Sequence, residues 1–398
     1  MQEFNYTVID KSGKKKRGFI EAFSKENAID SLQNKGMYIL EISSAATNIY
    51  KGKKVNVKLK DVAIFSRQVA TMLSSGVNVV TAIEAMEGQS DDKGFKSVLK
   101  DVKKKVEQGE SLSESMKEHP KAFPSLLCTM IEAGEMTGDT DNTFERMADY
   151  YDKENKMKQK IVNATIYPSI LVIVSLLAIT ALMIFAVPKF MSIFEEMQVP
   201  LPLLTKIVLG LGDWMKSYWY IFMIIILLII LGYKAYYSSK EGGILIDKLK
   251  LKIPVIGDIL TFAAISRFSR TLSSLLEAGV GMIPSLEITK KVVLNKYIMN
   301  ELDTVVENMK TGERLSDNLK TIKIMPKIFP VMIKTGEESG KIDYMLLKVA
   351  ELYENEVDMR VSRINTIIEP VIIVVLAVVL GSIMAAVMLP MFTLYGNI

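Results

Sequence analysis

The chain contains one cysteine, Cys128, and one histidine, His119. A lone thiol excludes an intrachain disulfide framework and a thiolate metal cage. A lone imidazole excludes a histidine-built zinc site, and nothing around His119 resembles a Ser-His-Asp set. A charge excess of one sign is also missing: 49 Lys and Arg against 45 Asp and Glu leave a net charge of +4, which points to no nucleic-acid partner. No nucleotide loop is present either. GEESGK at 336–341 has three residues between its glycines where a phosphate loop has four, and Ile342 stands where Ser or Thr would bind magnesium. The related GEMTGD at 134–139 has no lysine at all. No cofactor is therefore expected, and no catalytic set is found. Residues 1–10 have no apolar run of the kind a signal peptide needs.

The most informative absence is of charge within three stretches. Residues 163–187, 217–233 and 370–398 contain no Asp, Glu, Lys or Arg. A helix crosses the roughly 30 Å hydrocarbon core with about 20 apolar residues. The first and third stretches exceed that, and Lys216 and Lys234 can snorkel to extend the second. Trp214, Tyr218, Trp219 and Tyr220 at one end, and Tyr233, Tyr236 and Tyr237 at the other, supply its aromatic belts. Lysines 153, 156, 158 and 160 precede the first span, lysines 234, 240, 248, 250 and 252 follow the second, and Arg360 and Arg363 precede the third. Basic residues mark the cytoplasmic side, so the expected orientation is N-terminus cytoplasmic and C-terminus external, in a multi-pass protein of the cell (inner) membrane.

Residues 1–42 read as a small mixed α/β unit. Phe4, Tyr6 and Val8 alternate as a strand, Lys11-Ser12-Gly13 suggests a turn, and Gly18 to Phe23 a second strand. Ser24 can cap a helix ended by Gly36, and Met37 to Ile42 reads as a third strand. The rest is an internal duplication. FSRQVATMLSSGV at 65–77 aligns with FSRTLSSLLEAGV at 268–280, and GESLS at 109–113 with GERLS at 312–316. MIEAGEMTGDTD at 130–141 aligns with MIKTGEESGKID at 332–343, and Pro168 and Pro188 fall on Pro370 and Pro390. The repeating unit is an all-helical domain followed by one span. The chain is thus predicted to be mostly α, a polytopic membrane protein with three transmembrane helices and two homologous cytoplasmic helical bundles. Its expected segments are 1–42, a linker at 43–57, a first bundle at 58–165, spans at 166–187 and 217–237 around an external loop at 188–216, a second bundle at 238–369, a span at 370–389 and an external tail at 390–398.

Within the repeats, Gly76 and Gly279 end the first helices. Ser111 with Glu114 forms a capping-box pattern. Gly134 and Gly336 are expected to close a helix in the left-handed conformation, with Gly138 and Gly340 completing each corner. Beyond the corner a single long helix is expected to run into the bilayer, bent at Pro168 and Pro370. Glu132, Glu135, Asp139 and Asp141 could offer oxygen ligands to a divalent cation, but they lack EF-hand spacing and read more simply as a solvated corner. Glu369 is the one acid touching a span and is a functional candidate on that ground; Tyr167 replaces it in the first repeat.

The duplicated FSR segments, the GExLS segments, the G-E-x-x-G corners, Glu369-Pro370, and VPKF and LPMF at the span exits resemble the type II secretion F / PilC platform family. The resemblance covers nearly the whole chain. It implies an inner-membrane platform of a type IV pilus, competence or secretion machine, without enzymatic activity of its own. The implied partners are a cytoplasmic hexameric assembly ATPase, in some systems a retraction ATPase, pilin or pseudopilin subunits, other inner-membrane components and further copies of the chain in a homo-oligomer. A membrane transporter subunit is the competing class. Transporters place charged or broken-helix sites at mid-membrane, and the centres of these spans are uncharged.

Overall fold

The computed structural model describes residues 2–9, 15–22, 25–34, 36–44, 57–186, 188, 189, 192 and 203–396. The turn expected at 11–13, the cap at Ser24, most of the linker and part of the first external loop lie outside them. The described residues form two compact units, one of residues 1–58 with 75–124, the other of 59–74 with 125–398.

In the first unit, β1 (Gln2–Ile9) is the central strand of an antiparallel sheet, flanked by β2 (Lys15–Ala22) and β3 (Tyr38–Ser44). Tyr6 lies opposite Gly18 on one side and Ile42 on the other. The helix α1 (Lys25–Asn34) buries Ala28 and Leu32, and Gly36 follows it with a positive φ of 67°. Three further helices belong to this unit, α3 (Val79–Gln89), α4 (Lys93–Glu107) and α5 (Leu112–Lys117). Each opens on a side-chain cap, since the first backbone N–H groups of a helix have no internal partner. The Thr81 N–H donates to Asn78 Oδ1 at 2.8 Å, the Phe95 N–H to Asp92 Oδ1 at 2.7 Å, and the Glu114 N–H to Ser111 Oγ at 3.2 Å. Ile83, Phe95, Leu99, Val102 and Met116 are buried, and the Phe95 and Phe123 rings meet at 5.8 Å.

The second unit holds α2 (Leu59–Ser74), α6 (Ser125–Thr137), the long α7 (Thr140–Ala181), α8 (Leu203–Ser238) and the helices of the second repeat. These are α9 (Lys240–Leu251), α10 (Ile256–Glu277), α11 (Met282–Val292), α12 (Lys296–Lys310), α13 (Leu315–Leu319), α14 (Ile328–Ser339) and the very long α15 (Ile342–Gly396). The repeated FSR phenylalanines are both buried but meet non-equivalent rings, since Phe144 aligns with Leu346 and Phe329 with Leu127. Phe65 on α2 meets Phe144 on α7 edge-to-face at 6.1 Å, and its counterpart Phe268 on α10 meets Phe329 on α14, also edge-to-face at 6.1 Å. Full burial of one such ring contributes about 1.5–3 kcal/mol. Phe268, Leu272, Leu302, Val306, Phe329, Leu346 and Val349 close the core of the second repeat.

Among the described residues two helices are long and apolar enough to cross a membrane, Thr140–Phe185 and Ile342–Leu389. A third candidate is a bent pair, Met223–Ser238 at the end of α8 with Lys240–Leu251 of α9, the two meeting at 109°. The last turn of the first span widens into a π-helical turn, Leu182–Ala186. The two apolar helices touch through Ile179 and Met183 on one side and Val379, Ile383 and Ala386 on the other.

Three features differ from the sequence expectation. Helical structure starts at Leu203, inside the stretch read as an external loop, and α8 is two helices joined across a kink at Tyr218 (φ −120°, ψ 15°), the second of which begins where the span was read. Helix α15 continues to Gly396, through the stretch read as a tail. The single long helix expected in each repeat is there, α7 and α15 running unbroken through Pro168 and Pro370. A proline removes one N–H from a helix, and over helices of 42 and 55 residues the remaining hydrogen bonds carry the structure past it. Finally, Gly134 and Gly336 are not left-handed. They lie inside α6 and α14, and it is Gly138 and Gly340 that have positive φ, 73° and 68°.

Candidate functional site

The corners are built by two glycines with different tasks. Gly138 and Gly340 let the chain leave one helix with positive φ, a conformation that a Cβ penalises by roughly 1–2 kcal/mol. Gly134 and Gly336 let two helices approach. A Cβ on Gly134 would stand 2.6 Å from Thr143 Oγ1 and 3.2 Å from the Thr140 Cα; one on Gly336 would stand 2.9 Å from Met345 Cβ and 3.0 Å from the Ile342 Cα. Each close contact therefore falls on the first turns of a long helix. The Asp139 N–H donates to the Gly134 carbonyl at 2.9 Å, and the Lys341 N–H to the Gly336 carbonyl at 3.0 Å. The start of each long helix is clamped against the helix before it.

The glutamates of these corners do structural chemistry that sequence reasoning missed. Helix α13 opens on Arg314, which supplies no side-chain cap. Glu337, next to Gly336, reaches across and accepts the Leu315 N–H at 2.8 Å and the Ser316 N–H at 3.3–3.4 Å. In the first repeat Ser111 stands in place of Arg314 and caps α5 itself. The replacement of a cap-forming serine by arginine was the signal in the sequence. Of the acids considered for a cation, Asp139 accepts from Asn142 Nδ2 at 2.6 Å. Among the described residues no three Asp, Glu, His or Cys gather as metal ligands, so Glu132, Glu135, Asp139 and Asp141 do not form one site. His119 Nε2 lies 3.0 Å from Asp101 Oδ2 at the surface of the first unit.

The long helices carry a set of charges that joins the repeats. Arg67 of the first FSR segment pairs with Asp149 on α7, and Arg270 of the second donates to Glu354 on α15 at 2.7 Å, so each arginine ties its helix to the long helix of its own repeat. Other pairs cross between repeats. Arg267 on α10 donates to Glu154 on α7, with both side chains almost buried at 11% and 12% exposure. Lys160 on α7 pairs with Asp358 on α15, Arg146 reaches Glu277 at 3.4 Å, and the buried Tyr150 hydroxyl meets Thr271 Oγ1 at 2.8 Å. Beneath them Met157 and Ala164 of α7 pack with Ile259 and Ala263 of α10 and Val357 and Val361 of α15. An apolar seam rimmed by ion pairs holds register between helices, because sliding by one turn would break every pair at once.

Where α7 and α15 meet the apolar segments, a groove of about 750 Å³ is lined by Tyr167, Thr366, Glu369, Pro370, Ile373 and Val374. Glu369 is exposed there, and Pro370 leaves the Thr366 carbonyl without its usual helical donor. The structure thus sets Glu369 against its first-repeat counterpart Tyr167, a juxtaposition the alignment alone could not give.

The sequence matches known proteins across its length. The model for type II secretion system protein F matches residues 65–188 and again 268–390, and that for the N-terminal domain of the same protein matches residues 1–43. The type IV pilus assembly protein PilC of Thermus thermophilus is 33% identical over 100% of this chain and 99% of its own length. The type IV pilus assembly protein TapC of Aeromonas hydrophila is 32% identical over 98% of this chain and 95% of its own. Type II secretion system protein F of Pseudomonas aeruginosa is 28% identical, with 99% of each chain covered. The two family segments begin at the two FSR phenylalanines, Phe65 and Phe268, and end at the two span-closing prolines, Pro188 and Pro390, so the duplication read from the residues is the family's own, and the chain belongs to the type II secretion system protein F family.

Proposed function

We propose that this membrane protein of the pilus and secretion platform family couples a cytoplasmic assembly ATPase to the addition of pilin or pseudopilin subunits to a filament. It acts without chemistry of its own, as a homo-oligomer in the inner membrane, with both bundles and the N-terminus cytoplasmic and the C-terminus external. The observation that carries this reading is the pair of long helices. Each is continuous from a helical bundle into an apolar segment, and the two are joined by the Glu154–Arg267 and Lys160–Asp358 pairs over the Met157–Val357 seam. Displacement of a bundle by a nucleotide-driven motor is then carried into the bilayer by both helices together, where separate helices would slide and dissipate it.

Glu369 belongs to the same reading. A carboxylate at the membrane boundary, above the apolar wall of Ile373 and Val374, suits the basic or amino end of an incoming hydrophobic helix, and we assign the groove that role. The test is capture of the ATPase by the tagged full chain from membranes, together with counting of surface filaments. Native chain should retain the ATPase and support filaments, whereas Glu369→Ala should retain the ATPase, insert normally and make few. Failure of the native chain to retain the ATPase, alongside measurable solute uptake in vesicles, would replace the platform with a transporter.

A further inference from the structure

The geometry points to a lipid-recognition element at the end of the third candidate span: α9 and the turn after it form a fixed platform that lies on the membrane surface and binds anionic phospholipid headgroups. The observations begin with the elbow. Helix α8 presents exposed Ile224, Leu227, Leu228 and Leu231, and then changes character at Tyr233, Lys234, Tyr236 and Tyr237. Aromatic and basic residues of this kind sit at headgroup level. There the chain turns through 109°, just past a right angle, into α9. A helix perpendicular to a span at that depth runs along the interface.

The elbow is rigid. Ser239 Oγ accepts the Gly242 N–H at 3.1 Å, and Gly242 and Gly243 press on the end of α8 so closely that a Cβ would lie 2.2 Å from the Tyr236 carbonyl or 2.9 Å from that of Tyr237. Asp247, buried on the inner face of α9, accepts from the Tyr237 hydroxyl at 3.2 Å, from Lys250 Nζ at 2.9 Å and from the Lys296 N–H at 2.8 Å. Lys296 Nζ donates to the Tyr237 carbonyl at 2.7 Å. The Tyr237–Asp247 bond ties α9 to the end of α8 directly, and Lys296 bonds to both.

The outer face is unlike a water-facing surface. Glu241, Leu245, Lys248, Leu249 and Lys252 share one exposed side of α9, and Lys248 and Lys252 outnumber Glu241 there. Leu245 is 48% exposed and Leu249 54%, and the surface continues into Ile253 at 44% and Ile256 at 47%. These isoleucines flank a tight turn in which the Ile256 N–H donates to the Pro254 carbonyl at 2.8 Å, with Val255 between them at φ 68°. With ψ −50° this is a strained turn for a β-branched residue, and Val255 packs inward against the Met157–Val357 seam while Ile253 and Ile256 stay exposed on either side. Leucine and isoleucine beside lysine, continuous with the lipid-facing side of a span, match an interfacial helix in an anionic leaflet. Lys250 is engaged with Asp247, and Lys248 Nζ stands 5.0 Å from the centre of the Tyr297 ring, so Lys252, with Lys248 beside it on the exposed side, is offered to the headgroups.

The inference rests on α8 spanning the bilayer, and its test separates the two. The full chain carrying Cys128→Ala and a single new cysteine, Leu249→Cys or Leu228→Cys, is labelled with an environment-sensitive fluorophore. It is reconstituted in phosphatidylcholine vesicles with or without about 30% phosphatidylglycerol, with doxyl-labelled lipid of either headgroup as quencher. The expected result is quenching at 228 by deep doxyl groups in both lipids. At 249, shallow doxyl groups should quench, with a preference for phosphatidylglycerol that falls about fivefold per lysine in Lys248→Glu and Lys252→Glu. A probe at 249 that stays open to aqueous iodide while 228 is lipid-quenched overturns the surface helix. Lipid contact at 249 without headgroup preference overturns the anionic recognition. No lipid quenching at 228 overturns the span and the inference with it.

Discussion

Asparagine distinguishes the two glycines of each corner. Among residues with a Cβ it tolerates the left-handed region best. At Gly340, where φ is 68° and nothing lies within 4 Å of the missing Cβ, Asn should cost only a few tenths of a kcal/mol. At Gly336 the same substitution meets Met345 Cβ at 2.9 Å and the backbone of Ile342 at 3.0 Å. Overpacking of this kind costs about 1–3 kcal/mol, and the gain from replacing a helical glycine is only a few tenths for Asn. The net loss expected at Gly336 is therefore about 2 kcal/mol, or roughly 4–8 °C in melting temperature at about 2–4 °C per kcal/mol. Gly134→Asn, facing Thr143 Oγ1 at 2.6 Å, should behave like Gly336→Asn, and Gly138→Asn like Gly340→Asn. The single, buried Cys128 supplies the assay, since a thiol-reactive dye reports unfolding of the full chain in detergent. If Gly336→Asn melts with the native protein, or Gly340→Asn proves the more damaging, the distinction between helix approach and left-handed turn is wrong.

Other outcomes follow from the same structure. Glu337→Ala should cost about 0.5–2 kcal/mol by uncapping α13, and Arg314→Ser should recover part of it by supplying the local cap that Ser111 gives α5; absence of recovery in the same melting assay would remove the capping role. Phe329→Ala, at a fully buried site against Phe268, should cost about 3–5 kcal/mol, and a shift of less than about 1 kcal/mol would contradict the packing described for the second repeat. For the proposed orientation, a reporter after Asn397 should score external, and Lys323→Cys in a Cys128→Ala background should label only after the membrane is permeabilised; the reverse pattern inverts the topology.

The sequence revealed most of the architecture because the duplication is long and its punctuation is chemical. Ser111, Asp92 and Asn78 are cap-forming residues and they cap; Gly76, Gly109 and Gly138, with their partners Gly279, Gly312 and Gly340, all have positive φ. What stayed hidden was tertiary. Gly134 and Gly336 look like helix-ending glycines, since a string of residues does not show which helix presses on which. The helix from Leu203 that leads into the kink at Tyr218 was not legible, because Lys206, Asp213 and Lys216 interrupt the uncharged run. The pairs joining the repeats gave no local signal, as Arg267 and Glu154 are separated by 113 residues and Lys160 and Asp358 by 198. The Glu369 groove was half legible: the acid stood out beside Pro370, but its facing partner Tyr167 emerged only once α7 and α15 were seen side by side.

The joining of the long helices is tested most directly by a charge swap at the Glu154–Arg267 pair, scored by filament counts at equal membrane levels of protein. Removing one partner of a buried pair costs about 3–5 kcal/mol because the other charge is left without compensation. Glu154→Arg should place two like charges in a site where each side chain is only about a tenth exposed, and filaments should be lost. Glu154→Arg combined with Arg267→Glu should restore most of them, since the attraction returns with its ends exchanged. Native filament counts in the single variant, or a double variant no better than either single one, would show that the repeats transmit no motion through this pair.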